Sequence, residues 1–164
     1  MQHHRGAFEA SHTQQLYRAG NLPEGVANTQ KGREPMSATV PKHFDADTCN
    51  RLAQTQEIRI ETRRPGADAS AHRTTIWVVV AGDDVFVRSV RGSAGRWHQE
   101  IKANPAAAVY IDGQRIPVRA VPMTDDATIT RVSEAYRQKY RNDSSLPSMV
   151  RAKILPTTLR LEPM

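Results

Sequence analysis

The run Arg73–Val80 constrains this chain more than any other stretch. Its residues (Thr74, Thr75, Ile76, Trp77, Val78, Val79, Val80) are β-branched or apolar on both faces. That is the pattern of a strand covered on both sides rather than one lying half in water. Gly82-Asp83 supplies a tight turn, and Val85–Val90 follows as the second arm of a hairpin. Such a hairpin needs neighbours, and the chain offers them. Glu57–Arg63 alternates, with Ile58, Ile60 and Thr62 on one face. Ala106–Ile111 and Arg115–Val121 flank Asp112-Gly113, the strongest hairpin signal present, although Pro117 demotes the second to an edge position or a bulge. Lys153–Glu162 alternates again, with Leu155, Thr157, Leu159 and Leu161 on one face, and reads as a closing strand.

Helices fit between these strands. Asp45–Gln54 reads as a short one, capped by Asp45. A second follows Gly95, with Trp97 and Ile101 on one face, and ends at Asn104-Pro105. The best opens at Thr124-Asp125-Asp126, carries Ile129, Val132, Tyr136 and Tyr140 as its apolar stripe, and ends in Arg137, Lys139 and Arg141. Six strands, mostly in hairpins, with two or three helices beside them, make an α+β, mainly β chain. The expected architecture is a small antiparallel barrel, not a series of βαβ units.

Residues 1–35 do not share this patterning. They hold scattered Gly, Pro and polar residues without period, and Met36 opens a run resembling an ordinary bacterial start. We expect a disordered tail or an over-extended gene start over 1–35, and one domain over 36–164. The longest apolar run, Ile76–Ala81, is far too short to span a bilayer, and no secretory signal precedes it, so a cytoplasmic protein is expected. Cys49 stands alone, which excludes an internal disulfide or a cysteine-built zinc site. Asp83-Asp84 and Asp125-Asp126 have local reasons as a turn and a helix start, and no metal is expected. Charge is more informative. The 164 residues carry 23 Lys plus Arg against 17 Asp plus Glu, and 18 of the 23 are arginine. Arginine's planar fork suits phosphates and carboxylates, yet a GC-rich genome produces the same bias.

One segment gathers the means to hold an anion. Between Val87 and Trp97 stand Arg88, Ser89, Arg91, Gly92, Ser93, Gly95 and Arg96, at a strand end and the first turn of a helix. Glycine lets backbone N–H groups approach an anion, a helix start adds unpaired N–H donors, and the hydroxyls and guanidinia add more. The glycine spacing fits neither common nucleotide fingerprint, and a solvated connector is the alternative.

The ordered motifs Arg73-Thr74-Thr75, Gly82-Asp83, Gly95, Trp97 and Ala103-Asn104-Pro105 resemble the FMN-binding split-barrel superfamily. It includes pyridoxamine-phosphate oxidases and deazaflavin-dependent nitroreductases. The match over residues 55–163, down to Pro156–Pro163, is also similar to a small bacterial family within it. The resemblance implies a six-stranded split barrel, usually a homodimer with FMN or a deazaflavin in a groove between subunits. By position, Arg73, Thr74 and Thr75 would contact the flavin ring or ribityl chain, and Arg88, Ser89, Arg91 and Arg96 would hold phosphate. Gly92, Ser93 and Gly95 form the turn beside it, and Trp97 is a core anchor more than a stacking partner. The chain has Gly95-Arg96 where the deazaflavin enzymes carry a proline before that Trp. Three classes stay open: an oxidoreductase passing hydride to a nitro compound or quinone, a non-catalytic flavin, haem or other anionic-ligand binder, and, least favoured, a nucleic-acid-binding barrel. His72, at the end of a loop, and His98, on the solvent side of its helix, are weighed as proton donors and not favoured. Cys49 is expected to be inert.

Overall fold

The computed structural model describes residue 39, residues 41–66 and residues 70–164. The expected tail over residues 1–35 lies outside the described residues. Six strands form the body: β1 (Glu57–Arg63), β2 (Ala71–Ala81), β3 (Asp84–Val87), β4 (Ala106–Ile111), β5 (Gln114–Pro122) and β6 (Leu159–Pro163). All pair antiparallel and close in the order β1-β2-β3-β6-β5-β4. The architecture expected from the hairpins is therefore the one observed. Among the described residues four α-helices flank the barrel: α1 (Ala46–Gln54), α2 (Arg96–Ala103), α3 (Asp126–Lys139) and α4 (Leu146–Val150).

Local chemistry accounts for most of these boundaries. Asp45 caps α1 by accepting from the Thr48 N–H at 2.9 Å, and Asp125 caps α3 through the Thr128 N–H at 2.7 Å. Asp112 and Gly113 both adopt positive φ, 48° and 81°, as a two-residue hairpin of strand-matching twist requires. Pro117 sits where β5 pairs with β4 but β6 has already ended at Pro163. Its carbonyl faces that open side, accepting from the Met164 N–H at 3.1 Å, so the missing N–H breaks no ladder bond. The barrel has no free edge as a whole, yet Pro117 occupies a local one.

β2 feeds two cores. Ile76 and Val78 point into the barrel with Ile58, Ile60, Val87, Val109, Val118 and Leu161. Val79 and Ala81 point outward, where α3 and α4 cover them with Val132, Tyr136 and Met149. Each such side chain, fully buried, contributes about 1.5–3 kcal/mol. Burial on both faces is what the Val78–Val80 run predicts.

Two expectations fail at strand ends. The closing strand is half the length foreseen, because Ala152–Thr157 winds into a 3-10 turn before β6. Pro156 lacks the N–H a ladder needs, while Thr157 and Thr158 donate their hydroxyls back to the Ile154 and Leu155 carbonyls at 2.7 Å each. Alternation at Leu155 and Thr157 thus mimics a strand that local side-chain hydrogen bonds forbid. β3 likewise ends at Val87 rather than Val90. This second shortening creates the site.

Candidate functional site

The β2–β3 ladder pairs Val78 with Val87, Val79 with Phe86, Val80 with Val85 and Ala81 with Asp84. Continued in register, it would pair Trp77 with Arg88, Ile76 with Ser89, Thr75 with Val90 and Thr74 with Arg91. None of these pairs forms. All eight residues instead line a cleft of about 540 Å³, completed by Glu57, Gly95, Arg96, Trp97, Ser145 and Met149. The cleft is the place where the hairpin unzips.

Three anchors pull the β3 continuation away from β2. The Ser89 N–H donates to Thr157 Oγ at 3.0 Å, and Arg151 donates to the Val90 carbonyl at 3.2 Å. Arg88 supplies the third, and its guanidinium is almost fully buried. It donates from Nε to Thr158 Oγ at 2.9 Å, and from its terminal nitrogens to Ser133 Oγ at 3.0 Å, the Met149 carbonyl at 3.2 Å and the Ile129 carbonyl at 2.9 Å. The Tyr136 ring lies 5.4 Å from it. Burial lowers its pKa from the ordinary guanidinium value. Four of its five donors are thus spent on the protein. The two-point pairing with phosphate foreseen for Arg88 is corrected accordingly: it fastens α3, α4 and the approach to β6 to the strand end.

The opposite wall is bare backbone. Val78 directs its N–H and carbonyl toward the β1 side, where β1 has ended; the N–H donates to Tyr140 Oη at 3.2 Å and the carbonyl accepts from Lys139 Nζ at 2.7 Å. Burial holds that Lys139 ammonium at about 8 and pushes the Tyr140 hydroxyl up to about 12. Strand alternation then turns the N–H and carbonyl of Trp77 and Thr75 toward the opened side. No ladder partner lies opposite them on that side. Trp77 is braced from outside by Tyr140, stacked at 4.0 Å between ring centroids.

At the end of the cleft the chain turns through Gly92–Ala94 into α2. Gly95 precedes that helix without any side-chain cap, and the first helical bond runs from the Gln99 N–H to the Gly95 carbonyl. The N–H groups of Arg96, Trp97 and His98 therefore have no helical acceptor. Ser89 Oγ is buried beside them and has no hydrogen-bond partner among the described residues. A Cβ on Gly95 would lie 2.3 Å from that oxygen, so only glycine leaves the space. Arg91 and Arg96 stand exposed at the rim. An unpartnered buried hydroxyl, a helix start and two free guanidinia fit a phosphate group, whose oxygens accept from several donors at once.

The structure brings together Thr74, Thr75, Arg88, Ser89, Arg91, Gly95, Arg96 and Trp97 around one cleft. It places three others elsewhere. Gly92, at φ +64°, is buried beneath Lys153 and Ile154, and Ser93 sits exposed on the turn. Arg73 lines a neighbouring groove instead. Six lining residues were not foreseen. Trp77, Ile76 and Val90 are legible in hindsight by continuing the hairpin register, and Glu57 by its pairing with Trp77. Ser145 and Met149 have no local signal, since α4 brings them from a distant part of the chain.

Neither histidine enters the cleft. His98, expected to face solvent, is buried against Trp97, with Nδ1 unpartnered and its pKa lowered by burial and then by Lys102. His72 belongs to β2, and its Nδ1 lies 2.9 Å from Glu100. Glu100 is itself buried on α2 and accepts from Thr62 Oγ at 2.7 Å. Burial acts to raise its pKa, but the Thr62 hydroxyl, His72 and Arg96 together outweigh that and hold it low. Cys49 is half-buried, with burial and nearby aspartates pushing its thiol up, the direction of an unreactive thiol.

Known proteins frame this geometry. The DUF2255 family, described as an uncharacterized protein conserved in bacteria, matches residues 48–161, and the chain belongs to it. No curated protein matches the sequence. Among solved structures, the conserved hypothetical protein Rv2991 from Mycobacterium tuberculosis superposes with a TM-score of 0.52 at 12% identity, over 74% of this chain and 81% of that one. The haem storage protein HutZ from Vibrio cholerae gives 0.50 at 12%, over 74% and 91%. An F420-H2-dependent reductase, FDR-A, gives 0.50 at 12%, over 65% and 94%. These likenesses, each at 12% identity, show a shared fold, the closed six-stranded antiparallel barrel.

Proposed function

We propose that this DUF2255 member binds a flavin-type cofactor, FMN or a deazaflavin, in the unzipped cleft and serves as an oxidoreductase toward a small electrophile such as a nitro compound or quinone. The observation that carries the reading is Ser89 Oγ, buried and unpartnered against Gly95 at the uncapped start of α2. Ser89, the first N–H groups of α2, Arg91 and Arg96 would hold the phosphate. The free N–H and carbonyl groups of Thr75 and Trp77 would meet the edge of the ring system, which needs both donors and acceptors. The cofactor, when bound, supplies hydride transfer, and the protein's share is placement and exclusion of water. Val90, half-exposed at the lip, leaves one side of the cleft open to solvent. A second copy of the chain covering that side would complete the homodimer that the resemblance implies.

The test is titration of purified protein with FMN and with F420, followed by turnover of a nitroaromatic and a quinone. Micromolar binding with reduction of either acceptor is the expected result, and binding of neither cofactor overturns the reading. A binding-only role is the second reading, and one observation favours it. Among the described residues lining the cleft, Glu57 is the sole acid, and none is a histidine, lysine or tyrosine. Cofactor binding without turnover selects it. Fold likeness to proteins whose names mention haem and F420 is compatible with both readings.

A further inference from the structure

Arg73, which lies outside the cleft, is held in an unusual way on the outer barrel face. Its Nε donates to Glu61 at 3.0 Å, while its guanidinium stacks over the Tyr110 ring at 4.4 Å. Glu61 lies on the outside of the barrel yet is buried. Tyr110 Oη donates to it at 2.7 Å and Arg115 at 3.1 Å, and Arg63 lies at 3.8 Å. Glu61 and Tyr110 thus fix the plane of the Arg73 guanidinium while using only its Nε edge. The two terminal nitrogens have no hydrogen bond to a described residue, and they border a groove of about 440 Å³. Arg59 lines the same groove and has no ionic or hydrogen-bonded partner among the described residues. Of the acids in the groove wall, Asp112 is engaged by Arg51 at 2.9 Å. Glu57 stands at the far end, which the groove shares with the cleft.

We infer that this groove is a second binding site, built for a carboxylate or phosphate group clamped between the oriented Arg73 fork and Arg59. A guanidinium whose orientation is fixed by neighbours loses little freedom on pairing, which separates a built anion site from an ordinary exposed arginine. Groove and cleft meet at Glu57 and Thr75, so a molecule with an acidic end here reaches the cleft with its other end. The site stands whether or not a flavin fills the cleft.

The experiment uses the full chain without added cofactor, so its outcome is separate from the cofactor titration. Amide shifts of Thr75 and Gly113 are followed by NMR against benzoate, phenyl phosphate and the neutral analogue benzyl alcohol. Saturable shifts with either anion and none with the alcohol are expected, and the preferred anion tells carboxylate from phosphate. Arg73→Lys keeps the charge but loses the fork and should weaken binding about tenfold, the scale of one charge-assisted hydrogen bond. Glu61→Gln is the sharper variant. A simple positive patch would bind anions more tightly once a carboxylate is removed, whereas an oriented clamp loosens. Tyr110→Phe repeats that test more gently, keeping the ring and removing one bond to Glu61. Equal response to all three probes, unchanged affinity in Arg73→Lys, or tighter binding in Glu61→Gln would each overturn the inference.

Discussion

The two halves of β2 are one strand with two fates. From Val78 to Ala81 it is zipped to β3 and packed on both faces, into the barrel core and under α3 and α4. From Thr74 to Trp77 it keeps β1 on one side but has lost β3 on the other. The sequence changes at the same point, from valines to Arg73, Thr74 and Thr75. A ladder that stops while its register residues remain beside each other leaves unpaired backbone, and unpaired backbone is a recognition surface. The difference teaches that this site arises from an interrupted hairpin and was not added to a finished one.

That comparison can be broken most forcefully at Arg88, the residue that ends the ladder. Replacing it with methionine leaves Thr158 Oγ, Ser133 Oγ and two carbonyls short of a donor in the interior. Destabilisation of roughly 3 kcal/mol or more is expected by denaturant titration, since each buried unsatisfied group costs about 1–3 kcal/mol. A loss below half of that would mean the guanidinium does not anchor β3's exit. Next comes the valine half. Val79→Thr places a hydroxyl in the outer core and should cost about 1–3 kcal/mol. Thr75→Val in the open half should stay within about 0.5 kcal/mol, as surface changes do. Equal costs in the two melts would erase the distinction.

The site end of the open half offers a subtler probe. Gly95→Ala brings a methyl group against Ser89 Oγ and should weaken cofactor binding about tenfold. In the Ser89→Ala background the same change should cost less, so the double-mutant cycle reads their contact directly. Additive losses would show that the Ser89 hydroxyl and Gly95 do not act together. The smallest effect concerns pH. Glu61 pairs across the open half with Arg73, and its carboxyl is held at about 2, by the Tyr110 hydroxyl first and by Arg73 and Arg115 after it. Because the folded value lies below the ordinary 4.5, this stabilisation is present above that value and is lost as pH falls toward 2. Glu61→Gln should flatten that part of the stability profile, and an unaltered acid limb would remove Glu61 as its source.

Some of the site was legible early because it depends on neighbours in the chain. Ser89, Arg91, Gly95 and Arg96 cluster within one turn and a helix start, and glycine spacing marks close approach wherever the chain is read. Arg88 and Arg73 misled for the opposite reason. A guanidinium in a sequence looks equally able to meet a phosphate or to brace a fold, and only its surroundings choose. Arg88 turned into the interior because four acceptors from three distant segments converge on it. Arg73 turned away from the cleft because Glu61 holds its Nε and the Tyr110 ring lies under its guanidinium.

By itself the sequence determined the barrel's strands, their hairpins, the caps on α1 and α3 and the double burial of Val78–Val80, because those follow from period, turn chemistry and propensity. Tertiary structure alone decided where the β2–β3 ladder opens, since that depends on Thr157, Thr158, Ser133 and Met149 drawing Arg88 and Ser89 aside. It also decided that Glu61, an exposed-looking carboxylate at an outward position, is buried by Tyr110 and the arginines around it. Local pattern fixes which way a side chain faces; what it finds there is set by segments far along the chain.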